Sequence, residues 1–199
     1  MRIFSRSKEE KKEKVVDPKI KELVDDLRDK DEKVRKKAVQ KLRVIGKPAV
    51  EPLIETFSSP GSIIWGPYDA LSKIGEPAIE PLIKALMDKK SNELVRRGAA
   101  FTIRIMSERA HSYYKPLIPV LKDKAVEPLI NLLTKNYCKR IRWTETDRWI
   151  YGHICAALGE IGDSRAIKPL KKALETWGGD KRAQTVARNS LNKFEKQQK

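Results

Sequence analysis

The block Val44-Ile-Gly-Lys-Pro-Ala-Val-Glu-Pro-Leu-Ile54 returns 29 residues later as Lys73-Ile-Gly-Glu-Pro-Ala-Ile-Glu-Pro-Leu-Ile83. Weaker copies stand at Lys124-Ala-Val-Glu-Pro-Leu-Ile130 and Glu160-Ile-Gly-Asp-Ser-Arg-Ala-Ile-Lys-Pro-Leu170. A fixed internal period rules out one closed core. Each unit must bury its apolar face against its neighbours, so the chain is expected to grow as a linear array. At 199 residues it has room for about five units of this period.

The punctuation inside the block implies two helices per unit. Ile-Gly ends one helix, because glycine takes the left-handed conformation at the position after the last turn without a Cβ clash, and the following proline can only begin the next. Pro52 and Pro81 come four residues after Pro48 and Pro77, still within a first turn if these helices start near Ala49 and Ala78. The first helices are predicted at 18–28, 48–58, 77–88, 125–134 and 164–176. The second helices share an apolar template, spaced four, four and three, that lies on one helical face. It reads Val34, Ala38, Leu42, Ile45; Ile63, Pro67, Leu71, Ile74; Val95, Ala99, Ile103, Met106; Ile150, Ile154, Leu158, Ile161; and Ala183, Ala187, Leu191, Phe194.

Three places break the pattern. Pro67 should bend or delay its helix. Ser107 to Leu121, with Tyr113 and Tyr114, is an insertion apolar enough for a short extra helix, and Thr134 to Arg148 is a basic, aromatic connection longer than a tight hairpin needs.

The chain is 40% hydrophobic and 35% charged, too apolar for wholesale disorder and too charged for a membrane protein. Its first fourteen residues lack the apolar stretch of a secretory signal, so a cytoplasmic location is expected. The expected division is a charged tail or capping helix over 1–16, one repeat domain over 17–195 and a frayed end at 196–199. Two cysteines, Cys138 and Cys155, make no disulfide framework. The net charge of +16 leans toward the second half, where 20 Lys and Arg face 10 acids, against 23 and 17 in residues 1–100. Such a balance favours nucleic acids or acidic proteins as partners, or serves solubility alone.

Val34-Arg35 after an acidic turn, the alanine four residues beyond Val34, and the Ile-Gly-x-Pro-Ala-Val/Ile-Glu-Pro-Leu-Ile block resemble HEAT repeats. The likeness is strongest to the short subtype first associated with phycobilin lyases, and it extends from about Asp17 to Phe194. The resemblance implies an all-α fold, a right-handed α-solenoid of the α-α superhelix, armadillo-like kind with about five helical hairpins. It further implies that the second helices line a concave binding surface.

Such folds include enzymes, and their motifs can be compared with this chain residue by residue. A HEAT-like di-iron hydroxylase carries several His-Glu pairs, whereas this chain has only His111 and His153, and Ile154 follows the latter. His153 is expected as a polar residue on a helix flank. Nothing points to a linear tetrapyrrole site of the lyase kind. Trp143-Thr-Glu-Thr-Asp147 has the Trp-x-x-x-Asp spacing of HEAT-like alkylpurine DNA glycosylases, with Arg140, Arg142 and Arg148 nearby for phosphates. The plainer reading makes Thr144 or Thr146 a helix cap. No catalytic residue, metal ligand or cofactor is expected.

Opposite each apolar face lie Lys36, Gln40 and Arg43; Trp65, Asp69 and Ser72; Arg97, Phe101 and Arg104; Gly152, Ala156 and Gly159; and Thr185, Asn189 and Asn192. The candidate binding residues are therefore Lys36, Arg43, Trp65, Arg97, Phe101, Arg104, Trp143 and Trp149. The small-residue stripe of the fourth set is expected to be covered by the Tyr113-Tyr114 insertion or the Trp143 connection, or else to let helices approach. The function expected is a non-enzymatic scaffold for a protein partner, acidic by preference. The alternative is a nucleic-acid-binding protein using the same basic and aromatic groups.

Overall fold

A computed structural model describes residues 16–59, 65–112, 114–137, 144–176 and 181–197. Among these, every regular element is helical. Five first helices are α1 (Pro18–Asp26), α3 (Val50–Glu55), α5 (Glu76–Met87), α8 (Val126–Tyr137) and α10 (Ile167–Thr176). Five second helices are α2 (Glu32–Ile45), α4 (Trp65–Ile74), α6 (Glu93–Ser112), α9 (Glu145–Ile161) and α11 (Lys181–Gln197), and α7 (Leu117–Lys124) is extra. The second helices pack in succession, α2 on α4, α4 on α6, α6 on α9 and α9 on α11. The first helices form the other row, and α7 is wedged into it between α5 and α8. The insertion is thus absorbed in two ways. Part of it prolongs α6 past Met106 to Ser112, and the rest builds α7.

The template residues explain the stacking. Ala38, Leu42, Leu71, Ala99, Ile103, Met106, Ile150, Ile154, Leu158 and Ala187 are all buried in one continuous core. Lateral approach is set by glycine where helices come closest. A Cβ on Gly98 would stand 2.6 Å from the Phe57 ring, and one on Gly159 would stand 2.8 Å from the Ser190 Cα.

The helix ends depart from expectation in an informative way. Gly46 and Gly75 have positive φ, 71° and 79°, but ψ of −129° and −131°, so they are not left-handed helical; only Gly162 is, at φ 68° and ψ 33°. At the first two sites the chain enters the next helical element at the following residue, with proline one residue further on, and that exit needs a conformation essentially reserved for glycine. The twin blocks also fold differently. Lys47–Ala49 is a 3-10 turn ahead of α3, with a second one at Thr56–Ser58, whereas α5 starts at Glu76. Pro81 is consequently the sixth residue of α5, beyond the first turn, and removes one internal hydrogen bond that the expected start at Ala78 would have spared. α4 is described from Trp65, and the residues before it, on which the expected delay by Pro67 turns, lie outside the described residues.

Arginine of the Val-Arg pair ties the hairpin. Arg35 donates to the carbonyls of Asp29 (2.7 Å) and Lys30 (2.9 Å), and Arg96 donates to that of Leu86 (3.2 Å). In each case a cation satisfies acceptors at the end or exit of the preceding helix. The extra helix is held by charge as well. Lys124 of α7 pairs with Glu80 (2.8 Å) and Glu76 (3.3 Å) of α5, contacts that raise the pKa of Lys124 and lower that of Glu80. Arg165 donates to the Lys122 carbonyl at 2.8 Å from the other side.

The expected tail Met1 to Lys14, Ile63, Tyr113, Cys138, Arg140, Arg142 and Trp143 lie outside the described residues. No helix of the described residues is long and apolar enough to cross a membrane.

Candidate interaction surface

A row of rings crosses three second helices at mid-chain. Each position follows from helical spacing: Trp65 and Tyr68 are three apart on α4, Arg97, Phe101 and Arg104 are four and three apart on α6, and Trp149 and His153 are four apart on α9. The root is buried. Phe57, 1% exposed, stacks on Tyr68 with centroids 4.9 Å apart and planes at 21°. Tyr68 meets Phe101 edge to face at 4.9 Å, and Phe101 reaches Trp65 at 5.8 Å and His153 at 5.1 Å. His153 in turn meets Trp149 at 5.8 Å. Edge-to-face and tilted contacts of this kind hold rings in place beyond their area burial.

The two ends of the row reach solvent. Trp65 is 63% exposed and Trp149 43%, large values for the largest apolar side chain. Guanidiniums lie over the rings. Arg97 Cζ stands 4.9 Å from the Trp149 centroid, and Arg104 Cζ stands 6.0 Å from that of Phe101. Arg104 also pairs with Glu108 at 2.7 Å. Burial together with the Arg104 and Arg97 charges lowers the His153 pKa to about 4, so the imidazole is neutral at pH 7. Burial raises the Tyr68 phenol, with Arg97 opposing it.

Of the sequence-derived candidates, the fold brings together Trp65, Arg97, Phe101, Arg104 and Trp149. Lys36 and Arg43 are exposed on α2 and have no ring contact among the described residues; Lys36 pairs with Glu32 of its own helix at 2.7 Å. Sequence reasoning missed Phe57, Tyr68 and His153. The signal for the last two was present, since Tyr68 lies one turn from Trp65 and His153 one turn from Trp149. His153 is not on a polar flank, as expected, but 6% exposed among rings.

The columns opposite the apolar face are also less open than expected. Asp69 Oδ1 accepts from Arg109 of α6 at 2.6 Å, and Ser72, buried, accepts from the same guanidinium. Gly159 packs on Ser190, whose hydroxyl donates to the Cys155 carbonyl at 2.8 Å. A second helix has lateral neighbours in its own row, and the last positions of two columns, Ser72 and Gly159, turn toward one of them. Of the two readings of the small-residue stripe, close helix approach is the one seen at Gly159. At Gly152 a Cβ would meet nothing within 4 Å.

Asp147 closes a capping box. The Thr144 hydroxyl accepts from the Asp147 N–H at 3.1 Å, while the Asp147 carboxylate accepts from the Thr144 N–H at 3.1 Å and its hydroxyl at 2.8 Å. This carboxylate is engaged in starting α9, and the expected Thr144 cap is in place. Cys155 is buried, and burial pushes its thiol well above the usual range, the mark of an inert packing residue. Among the described residues no three His, Cys, Asp or Glu side chains gather as a metal site requires.

Two stacked rows of helices, tied end to end by recurrent glycine and proline turns, define an α-solenoid repeat protein. The family model for HEAT repeats matches residues 20–104, and that for the PBS lyase HEAT-like repeat matches 156–176; the chain belongs to the HEAT-repeat proteins of the PBS lyase-like subtype. The extended half of α6, α7, α8 and the start of α9 lie between the two matched stretches. No curated protein is significantly similar to the chain.

Proposed function

We propose that the chain is a non-enzymatic cytoplasmic scaffold whose residues 17–195 act as one repeat domain and bind a protein partner along the second-helix row, taken as the concave face. The observation that carries this reading is the pair of exposed tryptophans, Trp65 and Trp149, held at the ends of a rigid ring row beside Arg97 and Arg104. Tryptophan and arginine on a pre-formed backbone are the groups most often found at the energetic centre of interfaces. A net charge of +16 adds a preference for acidic partners.

Nucleic-acid binding is the second reading. It is favoured by the same charge together with ring faces on which bases can stack.

Affinity capture from host lysate after nuclease treatment, with the wild type and the W65A/W149A double variant in parallel, tests the first reading. An acidic protein retained by the wild type and lost from the variant is the expected result. Anisotropy with labelled single-stranded DNA and RNA tests the second. Tight binding that weakens steeply with salt, and no protein in the capture, would reverse the order of the two readings.

A further inference from the structure

Several charges along the second-helix row are answered from within. Lys36 pairs with Glu32, Lys73 and Arg109 with Asp69, Arg104 with Glu108 and Lys193 with Glu160. Arg97 differs. Its guanidinium lies on Trp149, half-buried, with no carboxylate in ion-pair range among the described residues. Arg43, like Lys33, Lys37 and Lys41 of α2, has no ion pair among the described residues, but it is exposed and makes no ring contact among them. A cation without a carboxylate partner, set on the exposed Trp149 ring in the same row as exposed Trp65, suits a carboxylate beside an apolar group. A polyanion following the ring row would find Lys73, Arg109 and Arg104 already paired, and its phosphates would compete there with the Asp69 and Glu108 carboxylates.

Further along the row the groups change character. Thr185, Asn189 and Asn192 on α11 are exposed and uncharged, able to donate to and accept from a peptide backbone. Resting on the scaffold reading above, we propose that the occupant of this surface is an extended acidic segment of the partner, with an aromatic side chain laid on Trp65 or Trp149 and an adjacent carboxylate paired to Arg97. A carboxylate there gains a charge-assisted, bidentate geometry that a lysine would not offer. The neighbouring ring face excludes water from the pair, which strengthens it.

The test titrates the full chain, by tryptophan fluorescence, with four probes. They are a short peptide with phenylalanine among glutamates, the same peptide with glutamines for glutamates, the same with alanine for phenylalanine, and an oligothymidylate. The acidic aromatic peptide should bind, and each altered peptide should bind at least about tenfold more weakly. R97Q should cost about tenfold against the acidic peptide and nothing against the glutamine peptide, whereas R43Q should cost little against either. Equal binding of the glutamine peptide, or of the acidic peptide to R97Q, overturns the proposal, as does binding of the oligothymidylate alone. Circular dichroism melts show whether R97Q is folded, and the comparison of peptides on the wild type stands whatever the variant does. A captured protein that needs Trp65 and Trp149, with no binding of the acidic peptide, would leave the scaffold reading standing and remove this one. Failure of both capture and peptide removes both.

Discussion

Helix α2 and the α4, α6, α9 group come from one template, yet they present opposite surfaces. On α2 the outward positions Lys36, Gln40 and Arg43 stand in solvent, each separate from the next. On α6 the equivalent positions Arg97, Phe101 and Arg104 are half-buried, because α9 packs against an α6 prolonged by the insertion. The difference teaches that the repeat supplies the scaffold, while contact chemistry arises where the repeat is altered. Trp65 stands exposed on α4 one turn from the buried Tyr68, and the capping box at Thr144 starts α9 so that Trp149 lies one turn above His153.

The contrast is most open to attack at its buried root. Phe57 is 1% exposed and backs Tyr68, so F57A should cost about 3–5 kcal/mol in denaturant unfolding. It should also weaken partner binding through the loosened row. A loss below about 1 kcal/mol would show that the rings support each other without a common base.

His153 gives the next largest effect, with a defined sign. Above pH 6.5 the imidazole is neutral folded or unfolded. Between 6.5 and about 4 only the unfolded chain takes up the proton, so stability falls as pH falls through that window and levels off below it. The full loss is at most about 3 kcal/mol. The difference in stability between wild type and H153Q, followed from pH 7.5 to 3.5, isolates it from other titrating groups. A flat difference would place His153 in water rather than among rings.

Much of the fold was legible because its determinants are local. Ile-Gly-Lys-Pro and Ile-Gly-Glu-Pro fix the turns, and the spacing of Val34, Ala38, Leu42 and Ile45 fixes a face; both effects act within one or two helical turns. What the pattern could not give was lateral. Whether Ser72 or Gly159 faces solvent depends on how closely the next second helix lies, which Arg109 and Ser190 decide from 37 and 31 positions away. His153 was misplaced for the same reason: its surroundings are Phe101 and Trp149, one of them on another helix. The 3-10 turns flanking α3 show a further limit, since nearly identical blocks began their helices differently.

Two glycines sharpen the contrast within the altered region. G98A forces its Cβ against the Phe57 ring at 2.6 Å and should cost about 1–3 kcal/mol, because the ring has no free space to yield into. G152A meets nothing within 4 Å and replaces a helical glycine, so it should stabilise by about 0.5–1 kcal/mol. Thermal melts of the two variants should move in opposite directions. If G152A is instead destabilising while its melt remains cooperative, the stripe is covered by a segment beyond the described residues.

The smallest effect belongs to α2. Lys36 holds the Glu32 carboxyl below its usual range, but both groups stand in water, where side-chain entropy and screening offset most of an exposed pair. K36A/R43A should therefore leave the melting temperature within experimental scatter. It should slow partner association at low salt, since two charges are removed from the field that steers an acidic protein, and that slowing should vanish at high salt. The dissociation rate is the deciding quantity. If it is unchanged in K36A/R43A and raised in W65A/W149A, α2 only attracts the partner and the ring row holds it. If both double variants raise it alike, the partner grips the whole second row, and the division between a solvated end and a binding middle is wrong.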